Sequence, residues 1–155
     1  MSNQFMRGAA ALSKQNILKG SGGPFGAVIV KDGAIIAEGV NLVTATHDPT
    51  AHAEITAIRI ACKKLGTFQL QGCSIYCSCE PCPMCFAAIF WARMSEIFYA
   101  NSREDASAIG FDDSRIYKDV ALDPKDWSIP TRRIADDVAR EAFDLWNKSS
   151  AKVPY

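Results

Sequence analysis

The cysteines constrain the fold of this chain more than any other residue type. There are six, at positions 62, 73, 77, 79, 82 and 85, and four of them lie within residues 77–85. The first twenty residues lack the apolar core of a secretory signal, so we expect the thiols to stay reduced. Clustered thiols in a reducing compartment indicate a metal site rather than disulfides.

Length and composition are those of an ordinary soluble globular protein. A chain of 155 residues with 48% apolar and 22% charged residues predicts one domain spanning residues 1–155. Lys and Arg together number 17, as do Asp and Glu. Proteins that bind nucleic acid usually carry an excess of positive charge, so this balance disfavours a nucleic-acid partner. No apolar run reaches the length of a bilayer, so we expect no membrane partner and a cytoplasmic location.

Apolar periodicity and turn residues predict alternating helices and strands. Helices are predicted over residues 3–19, 50–65, 83–93 and 134–146, and strands over residues 27–30, 34–37, 73–78 and 97–100. The apolar face of the first helix is assigned to Phe5, Ala9, Leu12 and Ile17. The first two strands form a hairpin, and the last two are parallel because a helix connects them. We predict a layered α/β domain with a mixed sheet, a polar loop over residues 41–49 and a polar tail over residues 147–155.

Two fragments carry candidate metal ligands, and each lies at the start of a predicted helix. His52 begins one helix, and Cys82 and Cys85 begin the next. The two-residue gap lets both sulfurs reach one ion, and a helix N-terminus favours the thiolate that binds metal. A catalytic zinc takes three protein ligands and keeps the fourth position for water. These three residues are therefore candidate ligands of one Zn²⁺ per subunit.

Glu54 follows His52 by two residues, so its side chain points away from that of His52 on a helix. It can remain a free acid and base beside a zinc ion, which lowers the pKa of a bound water to about 7. A non-catalytic structural zinc module is the alternative, with Cys77 or Cys79 as the fourth ligand. An iron–sulfur site is disfavoured because Ile89 stands where a fourth cysteine is expected. We interpret Cys62, Cys73 and Cys77 as core residues.

Four segments resemble a known family. His52-Ala-Glu54 and Pro81-Cys-Pro-Met-Cys85 match the signature of the zinc deaminases. Together with segments 22–30, 48–54, 78–85 and 110–114, they resemble the bacterial guanine deaminases of the cytidine-deaminase fold. The resemblance implies a three-layer α/β/α fold and hydrolysis of guanine to xanthine and ammonia, with Glu54 moving the protons.

The resemblance leaves the choice of substrate open. Residues 47–55 equally resemble the tRNA adenosine deaminases, whereas Phe25, the segment 111–113 and Tyr155 match the guanine enzymes. The balanced charge disfavours tRNA. Plant guanosine deaminases share the Phe-Asp-Asp element, so guanosine is an alternative substrate. His47 departs from the pattern of the guanine enzymes.

The resemblance also implies roles for individual residues. Asn41 would bind the purine, Asp113 would contact the base or shuttle protons, and Phe25, Ala53 and Trp91 would lie near the ring. Other roles remain open: Asn41 can shape a turn, Phe25 and Trp91 can be core residues, and Asp113 can cap a helix.

The family's subunits form homodimers in which the C-terminal segment crosses to the partner. By resemblance, the tail over residues 147–155 would be swapped in this way, and Tyr155 would close the partner's pocket.

Overall fold

The computed structural model describes residues 2–155, which separate into two compact units. The first unit ends at Asp113, and the second runs from Ser114 to Tyr155. The helices of the first unit are α1 (Ser2–Leu18), α2 (Val43–Thr46), α3 (Ala53–Leu65), α4 (Pro83–Trp91) and α5 (Arg103–Ala108). Its strands are β1 (Gly26–Lys31), β2 (Ala34–Val40), β3 (Cys73–Cys79) and β4 (Glu96–Asn101). No helix in residues 2–155 is both long and apolar enough to cross a bilayer.

The four strands form one sheet in the order β2-β1-β3-β4. Strand β1 pairs antiparallel with both β2 and β3, whereas β3 and β4 are parallel and connected through α4. The predicted hairpin, the parallel crossover and the mixed sheet are therefore confirmed.

Alternate residues of the central strands point to opposite faces of the sheet, and each face has its own core. Ala27, Ile29, Ile75 and Cys77 share one buried cluster with the alanines of α3 and with Ile89 of α4. Val28, Val30 and Tyr76 form the other cluster with Phe5 and Ala9 of α1. Helices thus cover both faces, and the predicted three-layer α/β/α fold is confirmed. Cys73 is also buried and Cys62 packs against the same core, as predicted.

The predicted helix over residues 50–65 begins three residues too early. The Asp48 carboxylate accepts hydrogen bonds from the Thr50 backbone N–H (2.8 Å) and hydroxyl (2.6 Å), which holds residues 48–50 in a turn. His52 is extended, and the helix starts at Ala53. The predicted loop over residues 41–49 contains the short helix α2, which ends where His47 adopts a left-handed conformation (φ 53°).

The end of α4 and the buried face of α1 also differ from the prediction. Helix α4 ends at Trp91, and Arg93 has a left-handed backbone (φ 57°), which stops the helix short of its predicted end. Ile17 was predicted on the buried face of α1, but it is 55% exposed. Asn16 is buried in its place. The sequence positions 5, 9, 12 and 16 therefore form the inner face of α1.

The second unit contains α6 (Ser114–Asp119), a 3-10 turn (Pro124–Asp126) and α7 (Asp137–Lys148). Asp119 accepts hydrogen bonds from the backbone N–H and hydroxyl of Ser128. Helix α7 starts three residues later than predicted because the Asp136 side chain caps it at the Val138 N–H (2.8 Å). The single domain over residues 1–155 stays a prediction, since the sheet and both cores belong to the first unit.

Candidate metal centre and active site

The three predicted ligands lie at the starts of two helices. His52 is the extended residue that precedes α3, and Cys82 holds the same position before α4. Cys85 is buried in the first turn of α4, which Pro83 opens. Both helices pack on the same face of the sheet, so their N-termini meet beyond the end of β3.

The distances between the ligand atoms fit a zinc ion. His52 Nδ1 lies 3.6 Å from Cys82 Sγ and 3.5 Å from Cys85 Sγ. Tetrahedral zinc, with Zn–N of about 2.0–2.1 Å and Zn–S of about 2.3 Å, places such atoms about 3.6 Å apart. One imidazole and two thiolates are also the donor types that zinc prefers. The residues present therefore fit the ion.

The part of the chain that the structure describes offers this centre three candidate protein ligands. Within residues 2–155, the donor atoms of His52, Cys82 and Cys85 lie together, and no other His, Cys, Asp or Glu joins this cluster. Cys77 is buried in the core, and the Cys79 thiol donates a hydrogen bond to the carbonyl oxygen of Ser102 (3.4 Å). A closed structural site would need one of these two as a ligand.

The two ligand thiols differ in acidity. The pKa of Cys82 is lowered to about 4, first because the Cys85 thiol donates to it and then because His52 lies beside it. The pKa of Cys85 is raised, first because it donates to Cys82 and then because it is buried. Cys82 is therefore the first of the pair to become the thiolate.

Glu54 lies in the first turn of α3, and only 7% of it is exposed. Burial raises the pKa of its carboxyl group, and its side chain also contacts the Cys85 thiol. A buried carboxyl with a raised pKa beside a metal centre is suited to take up and release protons during a reaction.

A cavity of about 450 Å³ opens in front of the centre. Its walls include His52, Glu54 and Cys82, together with Phe25, Asn41 and Asp113. Its size is within the range of pockets for small molecules. Six of the predicted site residues thus face one space.

Comparison with known proteins places the chain in a family. Residues 1–101 match the cytidine and deoxycytidylate deaminase zinc-binding region. The chain belongs to this deaminase family. The deaminase is 51% identical to guanine deaminase of Bacillus subtilis over 97% of each chain. The crystal structure of that protein superposes with a TM-score of 0.96 at 50% identity, covering 99% of the deaminase and 98% of the solved chain.

Relatives of lower identity are named for a different substrate. A tRNA-specific adenosine deaminase of Aquifex aeolicus is 42% identical over 96 residues, which is 62% of the present chain and 63% of the relative.

The predicted family and its zinc cofactor are confirmed. The chain is a zinc-dependent hydrolase that deaminates its substrate.

Asn41 is held in one orientation at the wall of the deaminase cavity. Its side-chain oxygen accepts hydrogen bonds from the backbone N–H groups of Gly23 and Val43, each at 3.3 Å. The bond to Val43 is the turn-forming contact that the sequence left open, and it leaves the amide NH₂ as the group available to a ligand. Asn41 is buried, so this NH₂ is a fixed donor.

Asp113 and Phe25 complete the predicted walls. Burial raises the pKa of the Asp113 carboxyl, and Arg103 opposes that shift. The Phe25 ring meets the Phe111 ring edge-on, with 4.9 Å between their centroids. A Cβ on Gly23 would lie 3.2–3.3 Å from these rings, so the glycine allows them to pack closely.

Besides the buried ligand Cys85, three predicted residues are not part of this wall. Ala53 is buried where α3 packs against β2. Trp91 is 53% exposed at the end of α4, where its ring packs against Phe90 and Arg93. Tyr155 is exposed in the second unit. Their implied roles stay predictions.

Other residues of the cavity wall were not predicted from the sequence, and they include Thr44, Pro49, Glu80 and Arg103. Glu80 belongs to the segment over residues 78–85, and its place in that motif could have identified it as a site residue. The Glu80 carboxylate accepts a hydrogen bond from the Arg103 backbone N–H (3.1 Å), which joins the loop before Cys82 to the start of α5. No local pattern identifies Arg103, because the pairing of β3 with β4 brings it there.

Proposed function

We propose that the deaminase hydrolyses guanine to xanthine and ammonia. The observation that carries this proposal is that the zinc ligands His52 and Cys82, Glu54, the Asn41 amide and Asp113 all line one cavity. The high identity to a guanine deaminase along nearly the whole chain supports the same substrate.

Glu54 is assigned the proton transfers. When bound, zinc supplies the Lewis acidity that makes a water nucleophilic at neutral pH. Glu54 accepts one proton from the attacking water and delivers it to ring nitrogen N3, while the C2–O bond forms. The second proton of the water moves to the C2 amino group, the C2–N bond breaks, and ammonia leaves xanthine with a carbonyl at C2.

Asn41 and Asp113 are assigned to recognition of the base. The fixed Asn41 NH₂ donates to an acceptor of the purine, and the Asp113 carboxylate accepts from one of its N–H groups. Guanine presents acceptors and N–H donors on its edges, so both groups find partners. A base that leaves one of them unpaired in the cavity loses binding energy.

The test is ammonia release by the zinc-loaded protein from guanine, guanosine, adenine, cytosine, cytidine and an adenosine-containing tRNA anticodon stem. We expect release from guanine, with xanthine as the second product. Release from guanosine or from the tRNA stem alone would overturn the substrate and keep the zinc chemistry. No release from any compound, with zinc tightly bound, would support the structural zinc module.

We further propose a homodimer in which residues 147–155 cross to the partner and Tyr155 covers the partner's cavity. Apolar residues of α7, among them Val138, Phe143 and Leu145, are exposed within the chain, and a partner surface would bury them. We also place the protein in the cytoplasm, because all six cysteines are free and the zinc centre needs two of them as thiolates.

A further inference from the structure

A buried asparagine of α1 contacts two residues of the cavity wall. Asn16 is 2% exposed, and its side-chain NH₂ donates to the carbonyl oxygens of Gly23 (2.9 Å) and Asn41 (2.8 Å). Gly23 precedes β1, and Asn41 follows β2, so one side chain joins the two ends of the hairpin. Asn16 itself does not line the cavity.

The position of Asn16 in α1 is one where an apolar residue is expected. It continues the buried face formed by Phe5, Ala9 and Leu12, and asparagine is a weak helix former. A buried amide is tolerated because its two N–H groups each have a carbonyl partner. An apolar side chain here would leave both carbonyls without this donor.

The contacts of Asn16 close a ring of hydrogen bonds around Asn41. Gly23 accepts from Asn16 through its carbonyl oxygen and donates to Asn41 Oδ1 through its N–H (3.3 Å). The backbone N–H of Asn41 donates to the carbonyl oxygen of Phe25 (3.2 Å). The backbone and the side chain of Asn41 are therefore each held by the segment over residues 23–25.

Gly22 shows how closely the two segments approach. A Cβ at this position would lie 2.3 Å from the Asn41 carbonyl oxygen and 2.9 Å from Asn41 Oδ1. Asn16 donates to that same carbonyl oxygen from the α1 side. The glycine gives the space for the approach, and Asn16 supplies the bond that holds it.

We infer that Asn16 is a positioning residue for catalysis. It acts through Asn41, by holding Gly22 and Gly23 against the end of β2 so that the Asn41 NH₂ faces the substrate. The inference rests on the proposed function for the identity of that substrate. It assigns to the outer helix α1 a part in substrate recognition, in addition to its packing on the sheet.

The test compares Asn16→Ala with Ser13→Ala. Ser13 lies one turn earlier on α1, and its hydroxyl donates to the carbonyl oxygen of Pro24 (2.6 Å), so it binds the same segment without touching Asn41. We expect Asn16→Ala to lower kcat/KM for guanine roughly ten- to hundredfold at full zinc content, as misplacement of a binding group does. Ser13→Ala should stay within about twofold of the wild type.

A double-mutant cycle with Asn41→Ala separates positioning from general stability. If Asn16 acts through Asn41, Asn16→Ala should cause little further loss of kcat/KM in the Asn41→Ala background. An equal loss in both backgrounds would overturn the inference, as would unchanged kcat/KM with a lowered Tm. Asn16→Ser keeps one donor and is the second variant if Asn16→Ala does not fold. If neither variant folds with zinc bound, the role of Asn16 is structural and the inference is wrong.

The wild-type assay tests the proposed function separately. Failure of the wild type to release ammonia from guanine overturns the substrate. The Asn16–Asn41 cycle is then measured with whichever compound of the panel does react, and its coupling reports on the positioning role alone.

Discussion

A Cβ on Gly39 would lie 2.2 Å from the carbonyl oxygen of Ala53. Strand β2 and the first turn of α3 are therefore in backbone contact, with Ala57 also against the same glycine. His52 and Glu54 flank Ala53 in the chain. This close packing positions both a zinc ligand and the proposed proton carrier.

Gly39→Ala should therefore move the start of α3. A Cβ that meets backbone atoms at this distance forces a shift, and we expect a loss of about 1–3 kcal/mol of stability together with weaker zinc binding. Gly8→Ala is the matched control: its Cβ would meet only Val28 Cγ2 at 3.6 Å, and alanine favours a helix by up to about 1 kcal/mol. Thermal unfolding and zinc titration check both variants. Normal zinc affinity in Gly39→Ala would show that the contact does not place His52.

Glu54→Gln should keep zinc and lose activity. Glutamine has nearly the same shape, but its amide does not exchange protons, and proton transfer by a side chain contributes roughly 10²–10⁴-fold to a rate. The check is kcat for guanine beside the zinc content of the same sample. Turnover within about tenfold of the wild type would assign the proton transfers to another group.

Cys82→Ala should abolish zinc binding, whereas Cys79→Ala should leave one zinc per chain. The first variant removes one of three ligand atoms, and the second removes a thiol that bonds the Ser102 carbonyl oxygen. Metal analysis after dialysis measures the stoichiometry. Loss of zinc in Cys79→Ala would make Cys79 a fourth ligand and would favour the structural module.

Asp113→Asn should lower kcat/KM at neutral pH, with the deficit shrinking in acid. Burial raises the pKa of the Asp113 carboxyl, so the wild type loses its carboxylate at a higher pH than an exposed aspartate does. Ionised Asp113 also opposes folding above its raised pKa, and this cost disappears below the unfolded-state pKa. The variant should therefore melt no lower than the wild type at pH 7. A pH-independent deficit would show that Asp113 acts without changing its charge.

The sequence predicted the sheet and the zinc centre for separate physical reasons. Apolar periodicity reports which residues face a core, and it located every strand of the sheet to within three residues. The zinc ligands His52, Cys82 and Cys85 were recognised from the zinc-deaminase signature, with which tetrahedral zinc chemistry is compatible, so they needed no knowledge of the packing.

Residues that depend on long-range packing were not predictable in this way. Asn16 interrupts an apolar face, and its partners Gly23 and Asn41 are known only once the hairpin closes. The Asp48 turn moved the start of α3 because a side-chain hydrogen bond outcompeted the helix. Arg103 reaches the cavity through strand pairing, which a local pattern does not report.

The tail over residues 147–155 is expected to act on the cavity of a partner subunit. Deletion of this tail should lower kcat more than zinc content, because a lid that excludes water is lost. The truncated chain has Glu54 but lacks the tail, whereas full-length Glu54→Gln has the tail but lacks the proton carrier. Each is therefore expected to be nearly inactive for a different reason. Co-expressed mixed dimers should regain activity, since the tail of the second chain covers the intact cavity of the first.

This complementation distinguishes a swapped tail from one that folds onto its own chain. With a tail acting within one chain, neither cavity of the mixed dimer has both Glu54 and a lid, so the mixture stays as inactive as its parents. The measurement is ammonia release by purified mixed dimers, with light scattering to establish their mass. A truncated protein with full activity would exclude the lid role of Tyr155, and a monomeric wild type would exclude the swap.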